Sequence, residues 1–229
     1  MRAGPSRRVA LAALAVAAGL AGWVAAQTPS SAGASAPPAA FRAALATKAP
    51  LLGLARAGKR LVAVGDWGVV VLSDDDGRTW RQAASVASRS MLTSVAFVDE
   101  KRGFAVGHGG TVLETNDGGE HWTRNHDAGA DVVLLTIWFG SAGHGIAAGA
   151  FGFAMATHDG GRSWRELSLG EGDDRDRHLN GIFAVPGGPL YIAAEAGTVF
   201  RSSDGGATWA TLRLPYDGSL WGGMPLRDG

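Results

Sequence analysis

The chain has no cysteine and only two tyrosines among its 229 residues. Without cysteine, neither a disulfide nor a lipid-modified N-terminal cysteine is available, so packing and hydrogen bonds alone must stabilise the fold. Basic and acidic residues balance, with 21 of each kind. Because a nucleic-acid-binding protein carries an excess of positive charge, we expect no nucleic-acid partner.

The N-terminal segment, residues 1–26, has the composition of a secretory signal peptide. Three arginines precede an apolar run over residues 9–26, and the segment contains no acidic residue. Val24 and Ala26 supply the small residues that precede a cleavage site, so we expect export to the periplasm and a mature start near Gln27. An uncleaved anchor is the alternative, since the run of about 18 residues is near the lower limit for spanning a bilayer. The general and the twin-arginine export routes both remain open.

Residues 27–50 are predicted to form a flexible linker. The sequence TPSSAGASAPPAA from Thr28 contains three prolines, few bulky side chains and no periodicity. Such a composition is typical of exported linkers. The following stretch, FRAALATKAP from Phe41, fits either a short helix or a strand that leads into the folded domain.

An eight-residue pattern recurs four times after residue 51, at intervals of 42, 42 and 45 residues. Each copy has Ser or Thr first, Asp third, Gly fifth and Trp eighth, and it resembles the Asp-box, also called the bacterial neuraminidase repeat. The interval is the length of one four-stranded propeller blade. We therefore predict an all-β fold for residues 51–229, a β-propeller of four-stranded antiparallel blades. The four boxes are Ser73, Asp75, Gly77 and Trp80; Thr115, Asp117, Gly119 and Trp122; Thr157, Asp159, Gly161 and Trp164; and Ser202, Asp204, Gly206 and Trp209.

Each fixed box position has a local structural role. An aspartate accepts hydrogen bonds from the backbone amides that follow it, and the glycine allows the left-handed conformation of a hairpin turn. The tryptophan begins the return strand and must bury its ring and satisfy its indole donor. We therefore predict that the box aspartates are structural and that none is catalytic.

Between the boxes, short β-rich runs fit strands A to D of each blade. A glycine five residues before each box, at Gly68, Gly110, Gly152 and Gly197, marks the turn between strands B and C. After the fourth box, the run SLWGG supplies strand A of a fifth blade. Because an open ring leaves an apolar blade face in water, we expect a partial propeller that belongs to a longer ring. The isolated chain is expected to associate through its open end.

The turns between strands B and C differ from copy to copy, although the rest of each blade repeats. They carry Trp67, His108, Phe151 and Glu195, which should lie around one rim of the propeller. Exposed aromatic rings on such a rim favour contact with a protein partner. The alternative is that these side chains only fill their loops.

No pattern in the chain predicts a metal, a cofactor or a catalytic site. The acidic run over residues 171–176 lacks the spacing of a calcium loop, and histidines do not occur at metal-ligand spacing. A sialidase-like enzyme would need an arginine cluster and a tyrosine with a glutamate partner. Tyr191 lies inside a predicted strand, and Tyr216 has no evident glutamate partner. We expect no glycosidase activity; a sialidase-like hydrolase or carbohydrate-binding propeller is the alternative function.

The run GFAVGHGGTVLETNDGGEHW from Gly103, together with LTSVAF and LWGG, resembles the photosystem II stability and assembly factor family. The resemblance covers about residues 51–229. It implies a seven-bladed, non-catalytic scaffold that helps a membrane protein assemble, with a protein partner such as an inner-membrane complex or transporter. Photosynthetic members are associated with an arginine-rich patch. That patch is not carried over, because Arg78 and Arg162 share a repeat position that holds Glu120 and Ala207 in the other boxes.

Overall fold

The computed structural model describes residues 38–226. The predicted signal peptide and the first part of the predicted linker lie outside these residues. Over the described range the chain consists of short β-strands joined by turns and brief 3-10 segments. No helix within residues 38–226 is long and apolar enough to span a bilayer.

The strands form four sheets, each built from four consecutive antiparallel strands, A to D. The first blade contains β1 (Leu51–Ala57), β2 (Arg60–Gly65), β3 (Val70–Ser73) and β4 (Arg81–Gln82). After the two-residue strand β5 (Ser85–Val86), the second contains β6 (Leu92–Phe97), β7 (Gly103–Gly107), β8 (Thr111–Thr115) and β9 (His121–Asp127). The third contains β10 (Leu134–Phe139), β11 (Gly145–Gly149), β12 (Ala154–Thr157) and β13 (Arg165–Leu167). The fourth contains β14 (Leu179–Ala184), β15 (Leu190–Ala194), β16 (Thr198–Ser202) and β17 (Ala210–Arg213). The predicted all-β propeller of four-stranded blades is confirmed.

Strand β5 was not predicted. It pairs in parallel with β9, the outermost strand of the next blade, through Ser85 opposite His121 and Val86 opposite Trp122. A two-residue pairing with a strand 36 positions further along leaves no periodic signal in the sequence.

The antiparallel order divides the turns between two ends of the molecule. The A–B turns and the boxes share one end, here called the box end, where Arg60 contacts Asp74 at 2.6 Å. The B–C turns and the crossovers to the next blade share the other, here called the rim end. There the amide of Gly152 donates to the carbonyl oxygen of Arg177 at 2.9 Å.

The apolar core lies in the contacts between consecutive blades, here called seams. In the first seam, Val62 and Leu72 pack with Leu113 and Trp122 of the second blade. The second seam places Val106 against Met155, and the third places Ala148 against Ile192 and Phe200. Since strands B and C are buried on both faces, each blade depends on its neighbours for burial.

Residues 38–50, grouped with the flexible linker from sequence, contact the first blade and strand β5. The amide of Ala40 donates to the carbonyl oxygen of Val86 at 2.9 Å. The amide of Ala43 donates to the side-chain oxygen of Gln82 at 3.0 Å. Ala46–Lys48 forms a 3-10 turn whose Ala46 is buried with Ala63 and Val71. The stretch left open between helix and strand is therefore a short 3-10 turn.

Residues 219–223 lie beside strand β14, where strand A of a further blade is predicted. The amide of Leu220 donates to the carbonyl oxygen of Ala194 at 3.0 Å, and Asn180 donates to the carbonyl oxygen of Leu220 at 2.9 Å. These residues form no regular strand. Trp221 is 77% exposed, whereas Val95, at the equivalent position of the second blade, is 7% exposed.

Candidate functional site

The four boxes fold into the same hydrogen-bonded turn. In the first box, the hydroxyl of Ser73 donates to Oδ1 of Asp75 at 2.9 Å and accepts the amide of Gly77 at 2.8 Å. Thr79 donates its amide to Oδ1 of Asp75 at 2.8 Å and its hydroxyl to Oδ2 at 2.6 Å. The same bonds surround the other three box aspartates, with a histidine ring replacing the hydroxyl in the second box. Each carboxylate is thus engaged within its own hairpin.

The box glycines adopt the left-handed conformation that these turns require. Their φ angles are 87° at Gly77, 91° at Gly119, 85° at Gly161 and 93° at Gly206. The position before each of them also has a positive φ, and it holds glycine in three of the four boxes. That second glycine column was a usable sequence signal for the turn geometry.

The tryptophans of the second, third and fourth boxes face the preceding blade, whereas Trp80 packs against Ala63 and Val71 of its own blade. Trp122 is fully buried against Val62 and Leu72 of the first blade. The indole nitrogen donates to the carbonyl oxygen of the box glycine at 2.9–3.0 Å in the first, second and fourth boxes. In the third box, Trp164 donates to Oδ1 of Asn125 at 3.2 Å, so the donor is satisfied from the second blade.

Substitution of Asp159 by alanine is expected to destabilise the fold. Hydrogen bonds from the hydroxyl and amide of Ser163 lower the pKa of Asp159 from 3.8 to about 2. Because the folded pKa lies below the ordinary value, this stabilisation is complete above pH 3.8 and is lost as the pH falls through about 2. Urea unfolding at neutral pH should show a lower midpoint for Asp159→Ala.

The matched control is Asp173→Ala, an exposed carboxylate in the crossover between the third and fourth blades. Its midpoint should equal that of the wild type. Equal midpoints for both variants would show that the box carboxylate does not stabilise its hairpin.

The B–C turns at the rim end present two exposed aromatic rings. Trp67 is 66% exposed and Phe151 is 74% exposed, and they occupy equivalent positions of the first and third B–C turns. Both have left-handed backbones, with φ of 56° and 53°. The same position holds Gly109 in the second turn and Ala196 in the fourth. A bulky residue in this conformation costs about 1 kcal/mol or more, and an exposed ring recovers little of that by burial.

Phe151 and Glu195 meet through His178, a residue that sequence reasoning missed. The amide of Phe151 donates to Nδ1 of His178 at 3.0 Å, and the two rings contact edge to face at 4.8 Å. The amide of His178 donates to Oε2 of Glu195 at 2.9 Å. His178 is the last residue of the crossover that precedes strand β14. This place in the sequence, directly before a predicted strand, was the signal by which His178 could have been found.

Glu195 replaces a backbone hydrogen bond in the fourth blade. In the other three blades the amide after strand B, such as that of His108, donates to the carbonyl that precedes strand A, such as that of Met91, at 2.9–3.0 Å. A glycine ends strand B there, because a methyl group on Gly107 would lie 1.9 Å from that carbonyl oxygen. The fourth blade has Ala194 at this position, and the Glu195 carboxylate binds the crossover amide.

The four predicted rim residues therefore lie on equivalent turns of one end, but with different surroundings. His108 is exposed and Glu195 is half-buried. Among residues 38–226, no hydrogen bond or ring contact joins Trp67 or His108 to the Phe151 and Glu195 pair. Their binding role remains a prediction.

The two tyrosines lie in different parts of the fourth blade and the crossover that follows it. Tyr191, in strand β15, stacks on Phe183 with 5.3 Å between ring centroids. Tyr216, in the crossover after β17, is exposed. Among residues 38–226, no three His, Asp or Glu side chains are grouped closely enough to hold a metal ion.

Comparison with solved structures identifies propellers of the same fold. A structure of YCF48 bound to D1 peptide matches with a TM-score of 0.63 and 20% identity, over 79% of this chain and 58% of that one. YCF48 from Cyanidioschyzon merolae matches with a TM-score of 0.58 and 15% identity, over 76% and 59% of the two chains. The xyloglucanase of glycoside hydrolase family 74 from Xanthomonas campestris matches with a TM-score of 0.53 and 18% identity, over 71% and 29%.

The chain thus spans less than two thirds of the YCF48 structures that it matches. A comparison with curated proteins gave no match. The family model described as photosynthesis system II assembly factor YCF48 matches residues 82–133 and 125–223. These two matches together cover more than half of the sequence and include the last three boxes. The chain therefore belongs to the photosynthesis system II assembly factor YCF48 family.

Proposed function

We propose that the protein is an exported, non-catalytic propeller scaffold that binds a protein partner through its rim end and so assists the assembly or stability of a membrane complex or transporter. The observation that carries this proposal is the pair of exposed aromatic rings, Trp67 and Phe151, held in left-handed turns. At both positions the left-handed backbone disfavours a bulky side chain, and the exposed ring gains little free energy from burial.

Exposed aromatic side chains are well suited to this role. Tryptophan and other aromatic residues dominate the centres of protein interfaces, where they bury a large area at a small cost in side-chain entropy. Trp67 and Phe151 hold the same position on a repeated frame, so a partner that covers the rim end meets rings on the first and third blades. His108, exposed on the second blade between them, adds a polar contact.

The family supports a protein partner. One YCF48 structure that matches this chain holds a D1 peptide. Binding of a segment of another protein is thus compatible with a propeller of this family. The likeness to the xyloglucanase concerns the fold alone, because its sequence identity is 18%.

The chemistry of the boxes supports a non-catalytic role. All four box carboxylates accept hydrogen bonds from their own turns. A carboxylate held in this way, with a pKa of about 2 at Asp159 and Asp204, is a poor proton donor or acceptor near neutral pH.

Export rests on residues 1–26, whose composition is that of a signal peptide. The partner would then lie on the outer side of the inner membrane. Fractionation of cells that express the full chain tests this part of the proposal, which requires the protein in the periplasmic fraction.

Site-specific photocrosslinking tests the rim end directly. We expect a photoreactive amino acid at position 151 or 67 of the exported full chain to crosslink a defined partner. The same group at Arg162, an exposed box-end position, should give no crosslink to it. Trp67→Ala with Phe151→Ala should reduce recovery of that partner, since truncating an interface centre typically costs about 2 kcal/mol or more.

Unchanged recovery with the double variant would rule out the rim as the binding surface. Equal crosslinking from positions 151 and 162 would show that the contact is not specific to the rim end.

A further inference from the structure

Each seam has one side chain that reaches from the start of strand B to the box of the next blade. In the first seam, Arg60 donates through Nη1 to the carbonyl oxygen of Gly118 at 3.2 Å. In the second, Arg102 donates through Nη2 to the carbonyl oxygen of Gly160. Gly118 and Gly160 hold the same, fourth position of their boxes. Because arginine keeps its charge at any ordinary pH, these two contacts do not respond to acid.

The third seam has a histidine in this place. His144 precedes Gly145, which pairs with the first box residue Thr157, just as Arg102 precedes the equivalent residue of the second blade. The ring lies against Gly205, the fourth position of the last box, where a methyl group would be 3.7 Å from Cε1 of His144. Within residues 38–226, Nε2 of His144 is buried and has no hydrogen-bond partner. The arginine contact is thus replaced by an imidazole with an unsatisfied nitrogen.

A second histidine stacks on the first. The rings of His144 and His158 are nearly parallel, with 5° between their planes and 4.9 Å between their centroids. Trp138 packs edge to face against His144 at 5.6 Å. Two imidazolium ions in this arrangement would repel each other. His158 is exposed to solvent.

The other charged groups on the elements around His144 have partners of their own. Asp159 and Asp204 accept hydrogen bonds within the third and fourth boxes. Arg201, on strand β16, donates to the hydroxyl of Ser203, and Arg102 donates to Gly160 in the second seam. His158 is therefore the titratable side chain whose charge bears on His144.

Burial lowers the pKa of His144 below its ordinary value of 6.5, and the positive charge of His158 lowers it further. A histidine whose folded pKa is below the unfolded value disfavours the fold when protonated. Its contribution to stability is complete above pH 6.5 and declines as the pH falls below that value. The pKa values of the box carboxylates lie below their ordinary value of 3.8, so these groups keep their charge at about pH 5.

We propose that the seam between the third and fourth blades is an acid-sensitive joint, which loosens when His144 and His158 are protonated. Loosening uncovers the apolar side chains packed in that seam, among them Ile146, Leu190 and Trp209. The first two seams keep their arginine contacts and stay closed. The proposal is independent of the rim end and concerns the opposite end of the blades.

Hydrogen exchange of the full chain at about pH 7.5 and about pH 5, on either side of the ordinary histidine range, tests the joint. After correction for the intrinsic effect of pH on exchange, amides of β11 and β15 should exchange several-fold faster at the lower pH. Amides of β2 and β8, in the first seam, should show no such increase. An increase of equal size in all blades, or none, would overturn the proposal.

Two variants separate the histidines from general acid effects. His144→Arg restores the residue type of the other seams, and His158→Gln removes the second charge at an exposed position where folding is not at risk. Each should reduce the acid-induced increase in β11 and β15, whereas His108→Gln, an exposed histidine of the rim end, should leave it intact. If the increase persists in His158→Gln and in every folded His144 variant, the joint does not depend on these rings.

Discussion

Replacement of Gly107 by alanine is expected to destabilise the protein by about 3 kcal/mol, at the upper end of the range for most single substitutions. The added methyl group would lie 1.9 Å from the carbonyl oxygen of Met91 and 2.9 Å from Cα of Leu92. Both neighbours are backbone atoms, so strands A and B of the second blade would have to separate. The hydrogen bond from the amide of His108 to Met91 would be lost with them.

Urea unfolding measures this effect, and Gly222→Ala is the matched control. A methyl group on Gly222 meets no atom within 4 Å, and this residue has no left-handed backbone. Its free energy of unfolding should stay within about 0.5 kcal/mol of the wild type, as for most surface substitutions. A small effect at Gly107 would show that the strands do not approach as closely as described.

Replacement of Trp122 by alanine is expected to cost about 3–5 kcal/mol, as for other fully buried aromatic residues. The indole is 1% exposed and fills the first seam against Val62 and Leu72. The truncation also removes the donor to the carbonyl oxygen of Gly119 at 2.9 Å. Because the cavity lies between two blades, the loss should appear as weaker coupling between them.

The measurement is again urea unfolding, with Trp67→Ala as the comparison. Both variants delete the same side chain, but Trp67 is 66% exposed. A large loss for Trp122→Ala beside a negligible one for Trp67→Ala separates the structural tryptophans of the boxes from the tryptophan of the rim. Equal losses would contradict that division.

The boxes were predictable because their hydrogen bonds are local. From Ser73 to Trp80, the donors and acceptors of the turn lie within eight residues, so their spacing is fixed by the hairpin itself. The left-handed turns of the rim were predictable in part. The second copy holds Gly109 where the first and third hold an aromatic ring, and a glycine at a repeated turn position indicates a positive φ.

The contacts between blades could not be predicted in the same way. Arg102 and His144 occupy turn positions where a charged or polar residue usually faces solvent, and their partners belong to the next blade, 58 positions away for Arg102 and Gly160. The link from Phe151 through His178 to Glu195 joins three segments that only the folded chain brings together. The repeat pattern predicts the strands and turns of each blade. The contacts in a seam depend on the side chain that each copy has at the position facing the next blade, and this side chain differs between copies.

The boxes and seams stabilise the fold, and we propose that the rim binds the partner. The variant Trp67→Gly with Phe151→Gly tests this assignment most directly, because glycine accepts the left-handed backbone that both turns use, as Gly109 does. The partner is first identified by crosslinking from position 151 of the otherwise unchanged chain. The measurement is then the amount of this partner that the variant captures, per amount of folded protein. We predict that recovery is lost while the free energy of unfolding stays within about 1 kcal/mol of the wild type. Full recovery of the partner by the folded variant, or a free energy of unfolding lowered by several kcal/mol, would contradict this assignment.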